Sequence, residues 1–195
     1  MATIRDGNTA ALIVIDLQNG VVANAWERDA VVSRTATLID RAREEGVPVI
    51  FVQHEDEGLQ RGSDAWQIVP ELVPADGEPV IAKRYPDSFE ETMLEETLAG
   101  LGVSHLVIAG AQTDACIRFT THRALAEGYD MTLGGDCHTT DDLQWGDVDV
   151  KAKDVIAHTN LVFRFATYPN RVAGVATHDT ISFTTPAGLQ ETATA

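Results

Sequence analysis

The chain predicts a three-layer α/β/α sandwich around a parallel sheet, and three observations carry that prediction. Short aliphatic runs recur with no polar side, as strands covered on both faces require. Between them lie stretches with apolar residues at helical spacing, and the two kinds of segment alternate along the chain. Parallel strands joined this way need right-handed crossovers, which puts helices on both faces of the sheet.

The first run, ALIVI at residues 11–15, is halted by Asp16. Residues 29–45 follow with Val32, Leu38, Ile39 and Ala42 near one stripe, and Gly46 with Pro48 closes that helix. VIFV at 49–52 reads as the second strand, and Val80-Ile81-Ala82 as a short one ending in Lys83. Ser88-Phe89-Glu90-Glu91 has the capping-box pattern, so a helix is expected to begin at Ser88, with Leu94, Leu98 and Leu101 on one face. LVIA at 106–109 and MTL at 131–133 are further buried strands, separated by a helix from about Asp114 to Glu127 that stops at Gly128.

Composition narrows the function classes. The chain has 195 residues, 44% of them hydrophobic, which suits one domain, expected over 1–183 with a Thr/Ala-rich tail at 184–195. Fourteen Lys and Arg against thirty Asp and Glu give a formal charge of -16, which disfavours nucleic acid and anionic lipid as partners. Two cysteines, Cys116 and Cys137, form no CxxC and no disulfide framework, so the expected setting is reducing and cytoplasmic. The apolar run of six before Asp16 is too short for a signal-peptide core or a membrane span.

In open parallel sheets chemistry gathers at the carboxyl ends of the strands. Asp16 stands at such an end, where poor solvation should raise its pKa unless a cation is near; the plain alternative is a turn aspartate. Lys83 ends another strand, where it either reaches water or points toward Asp16. Cys116 follows Gly110-Ala111-Gln112-Thr113-Asp114-Ala115, in what should be the first turn of a helix. There unpaired N–H groups favour a thiolate and can hold an oxyanion, whereas most free cysteines are simply buried and inert.

These residues together resemble the isochorismatase-like cysteine hydrolase superfamily. The matching stretches are ALIVIDLQ around Asp16, Ala82-Lys83 followed by Asp87-Ser88-Phe89, and VIAGAQTDACIR around Cys116. A helix ending in Ala126-Glu127-Gly128-Tyr129 and a strand ending in Asp136 follow in the family's order, so the resemblance covers roughly residues 8 to 183. It implies a six-stranded parallel sheet and a catalytic triad of Asp16, Lys83 and Cys116. It also implies a cis peptide at Ala111–Gln112, an oxyanion hole at Gln112 and Cys116, and a homodimer or larger homo-oligomer.

The cysteine points away from hydrolysis of a vinyl ether and toward a small carboxamide, ureide or lactam. Nicotinamidases of the family carry Asp-x-His and a second histidine for zinc. Here the loop reads Val52-Gln53-His54-Glu55-Asp56, and the next histidine is His105. No metal and no cofactor are therefore expected. His54, Trp66 and Gln112 are the candidate substrate-binding residues, with Trp26 a weaker one. Cys137, His138, His158 and His178 read as structural. The stretch from Gln53-His54 to Trp66, Asp114-Ala115-Cys116 and residues 158–161 look similar to a subgroup that includes hydrolases of streptothricin antibiotics. The competing readings are a nicotinamidase and a non-catalytic oligomeric binding protein of the same fold.

Overall fold

The computed structural model describes residues 7–184 and Pro186; the expected tail lies outside the described residues apart from Thr184 and Pro186. Six strands form one parallel sheet: β1 (Thr9–Ile15), β2 (Val49–His54), β3 (Val80–Lys83), β4 (Val103–Ala111), β5 (Asp130–Thr139) and, at the far edge, Ala173–Ala176. Two short strands, β6 (Leu143–Trp145) and β7 (Val148–Val150), make a separate antiparallel hairpin, so the edge strand is β8. The sheet order is β3-β2-β1-β4-β5-β8. The chain reverses its direction of winding between β1 and β4, and that switch point opens a crevice at the strands' carboxyl ends.

Strand alternation divides the core into two halves. Ala10, Leu12, Val14, Phe51, Val107 and Ala109 face α1 (Arg28–Glu44), whose Val32, Leu38, Ile39 and Ala42 are buried as the sequence stripe predicts. Ala11, Ile13, Ile15, Ile50, Val52, Leu106 and Ile108 face the other way, against α2 (Leu94–Gly100), α3 (Arg118–Glu127) and α4 (Ala152–Phe165). With both faces of β1 covered, its end is a desolvated place for a charge.

One element starts later than its sequence signal. The helix expected at Ser88 begins at Leu94. The Ser88 N–H donates to Thr120 Oγ1 at 3.0 Å, and Thr120 Oγ1 donates to Ser88 Oγ at 2.8 Å, so the serine is occupied by α3 instead of capping its own turn. Glu91 then adopts a left-handed φ of 51°, incompatible with helix. Leu94 and Leu98 are buried as expected, but Leu101 lies past the last turn and is 42% exposed.

Candidate active site

Asp16 directly follows β1 and takes a left-handed φ of 51°, a conformation aspartate tolerates better than most side chains. Its N–H donates to the Val52 carbonyl at 2.9 Å, tying the turn to β2. Beside it, Gly110 pairs with Ile15 at φ 134°. A Cβ there would lie 2.0 Å from the Ile15 carbonyl oxygen, so only glycine allows β1 and β4 this close an approach. After Gly110 the Ala111–Gln112 peptide bond is cis, at the position the resemblance implied. A π-helical turn (Thr113–Ile117) then carries Cys116 into α3, with the N–H groups of Ala115 and Ile117 donating to the Gln112 carbonyl.

These turns bring Asp16, Lys83 and Cys116 together. Lys83 Nζ lies 2.6 Å from Asp16 Oδ2 with both side chains fully buried, and it donates to Cys116 Sγ at 3.1 Å. It also donates to the Tyr85 carbonyl at 3.2 Å and stands 3.3 Å from His54 Nδ1. Burial drives the Asp16 carboxyl above its ordinary range, while Lys83, the Cys116 thiol and His54 pull it down. Burial, and then the Asp16 charge, push the Cys116 thiol up to about 12 against the pull of Lys83. Desolvation at the resting site thus opposes the thiolate that a helix start was expected to favour. The thiol needs a base, and the Asp16 carboxylate beside it is made more basic by the same burial.

A cleft of about 220 Å³ opens on this cluster, lined by Asp16, Gly20, Val21, His54, Leu59, Gln112, Cys116 and Asp141. Two of the three expected wall residues, His54 and Gln112, are there. Trp66 is not: its carbonyl accepts the side-chain amides of Gln18 and Gln53, and Leu59 of the same loop lines the wall instead. Trp26 also lies outside the cleft, 44% exposed, its backbone tied to Thr139 and Thr140.

Sequence reading missed Gln18 and Asp141. Buried Gln18 accepts the His54 N–H at 2.8 Å and donates to the carbonyls of His54 and Trp66 at 2.9 and 2.8 Å, fixing the end of β2 against the cleft loop. Asp141 accepts from Gln112 Nε2 at 3.1 Å. Burial raises its carboxyl and the Gln112 hydrogen bond lowers it, while Asp114 and Asp142 raise it further.

The remaining histidines have structural partners or lie elsewhere. His138 is held by Thr113 and Asn160, His178 by Asp136, and His158 lines a separate groove between α3 and α4. His54 Nε2 is 3.3 Å from Asp56 Oδ2. Among the described residues no three His, Cys, Asp or Glu side chains cluster as a metal site requires. No described helix is long and apolar enough to cross a membrane.

Known proteins share the fold of this chain. The isochorismatase domain model matches residues 10–159. An isochorismatase from Pseudomonas putida superposes with a TM-score of 0.81 at 30% identity, covering 93% of each chain. A streptothricin hydrolase from Streptomyces noursei is 32% identical over 140 residues, 68% of this chain and 55% of its own length. N-carbamoylsarcosine amidase from Arthrobacter is 29% identical over 154 residues, 63% of this chain and 56% of its own. The matched part of the chain thus spans little more than half the length of these two relatives.

Proposed function

The chain belongs to the isochorismatase family, and from that premise we propose that it is a cysteine-dependent hydrolase cleaving a C–N bond of a small carboxamide, ureide or lactam. The observation that carries this reading is the contact of buried Lys83 with both Asp16 and Cys116 where those two line one cleft. The family's relatives include amidases and a nicotinamidase, which supports amide-type substrates.

In the proposed mechanism the Asp16 carboxylate takes the Cys116 proton, and the sulfur attacks the substrate carbonyl carbon. The carbonyl π electrons move onto oxygen, where the backbone N–H groups of Gln112 and Cys116 hold the charge. Lys83 stabilises the negative charge as it passes between carboxylate and sulfur. When the tetrahedral species collapses, the C–N bond breaks and protonated Asp16 gives its proton to the departing nitrogen. Water then attacks the thioester and loses a proton to Asp16; the C–S bond breaks, the acid is released, and Asp16 returns that proton to the sulfur.

His54 stands at the cleft where a nicotinamidase would place one ligand, but it is engaged by Lys83 and Asp56 and has no second histidine beside it. The amidohydrolase reading is therefore preferred. A screen for ammonia release over small amides and ureides, with primary-amine detection for lactam opening, tests it. The expected result is turnover of at least one class that is lost in Cys116→Ala. Equal turnover by Cys116→Ala, or none on any class, would contradict it.

A further inference from the structure

Gln112 lines the cleft, and its side-chain nitrogen has two protein partners: Asp141 Oδ2 at 3.1 Å and the Val21 carbonyl at 3.4 Å. A carboxylate and a carbonyl can only accept, so both must face the NH2 end, and both amide hydrogens are used. That settles the amide's orientation by chemistry and leaves Oε1, an acceptor, as its remaining polar group. Asp141 gains little stability from its own position. Its Oδ1 is buried with no hydrogen-bond partner among the described residues, and Asp114 and Asp142 add like charge nearby. A half-satisfied carboxylate is costly to bury, so its charge is best accounted for by what Oδ2 does to Gln112.

We propose that Asp141 is a positioning residue that locks the Gln112 amide with its oxygen left for the substrate, so that the cleft favours small amides and ureides bearing an N–H donor beside the carbonyl over matched esters. This rests on the reading of the cleft as the site of Cys116 chemistry. A ligand without the donor leaves Oε1 unpaired when it displaces water, and it is rejected for that reason.

Alkylation of Cys116 tests the preference without requiring turnover. Iodoacetamide carries the N–H donor and methyl iodoacetate does not, yet both react by forming a C–S bond and expelling iodide. Rates at the Cys116 peptide, followed by mass spectrometry on the full chain, are normalised to those of a free small-molecule thiol. The wild type should prefer iodoacetamide by roughly three- to tenfold, the worth of one hydrogen bond. The preference should vanish in Asp141→Ala, which leaves Gln112 no side-chain acceptor and whose melting temperature should not fall, and in Gln112→Met, which keeps the backbone. A wild type without preference, or Gln112→Met retaining it, would overturn the proposal. So would equal losses for both reagents in an Asp141→Ala protein of lowered melting temperature, which mark a purely structural role. A selective cleft that hydrolyses no amide would defeat the hydrolase reading alone; Cys116-dependent hydrolysis without selectivity would defeat this inference alone.

Discussion

Cys116 and Cys137 both sit near the carboxyl edge of the sheet, and burial pushes both thiols up. What differs is the company each keeps. Cys116 receives a hydrogen bond from Lys83, contacts Asp16 and faces the cleft. Cys137 has no exposed surface, and its sulfur lies 3.6 Å from Asp136, a carboxylate already bound by the His178 N–H and ring. Burial alone makes an inert thiol. Cys137 also has a carboxylate and a cation nearby, Asp136 and Arg34, but both are partly exposed; the proposed nucleophile shares its burial with Asp16 and Lys83 and faces a cleft with room for a substrate.

The sharpest way to break this contrast is to delete each sulfur in turn. Cys116→Ala should lose at least about 10^4-fold in kcat while Cys137→Ala keeps near-normal turnover, read by steady-state kinetics on any substrate found. Substantial loss in Cys137→Ala with an intact fold would show that the two sites are not separate. Next in size is the proposed base. Asp16→Asn should cost about 10^2- to 10^4-fold at every pH, because Asp16 is the carboxylate that acts on the Cys116 thiol among the described residues.

Lys83→Met should have a smaller and different effect. Without the cation, desolvation of Asp16 is less opposed, its carboxyl rises further, and ionisation requires a higher pH. The acidic limb of kcat/KM should therefore move upward in pH. Added to Asp16→Asn, the lysine change should bring little further loss, since the two act as a unit. Independent, multiplying losses in the double variant would place Lys83 on the substrate instead.

The smallest expected effect on catalysis lies at the opposite end of β4. Burial pulls the His105 imidazole down to about 4, below an unfolded value near 6.5. The unfolded chain therefore binds the extra proton first. The stability contribution is full above pH 6.5 and is lost as pH falls through 4, by about 3 kcal/mol in all. Denaturation midpoints between pH 7 and 4 should show this slope in the wild type and a reduced one in His105→Gln. An unchanged slope in the variant would assign the acid sensitivity to other groups.

The strands and the long α1 were legible because burial on two faces, or along one stripe, leaves a periodic trace. Ser88 misled because its partner, Thr120, lies 32 residues away and outcompetes a local cap. The four-residue β8 and the β6–β7 hairpin were too short to leave any period. Asp16 and Lys83 stood out through their positions after apolar runs, and Cys116 through its place at the start of a helix. Gln18, Leu59 and Asp141 did not, because loops reach the cleft by tertiary geometry and carry no local pattern. Trp66 drew attention as a large aromatic, whereas its main hydrogen-bonding contribution is a backbone carbonyl.

The most direct test of the Cys116 assignment is to quench the enzyme during turnover of a slow amide substrate and map its peptides by mass spectrometry. The acyl mass should appear on the Cys116 peptide, be removable by hydroxylamine and be absent from the Cys137 peptide. Turnover that continues in Cys116→Ser, or acyl mass on any other residue with Cys116 unmodified, would contradict the assignment.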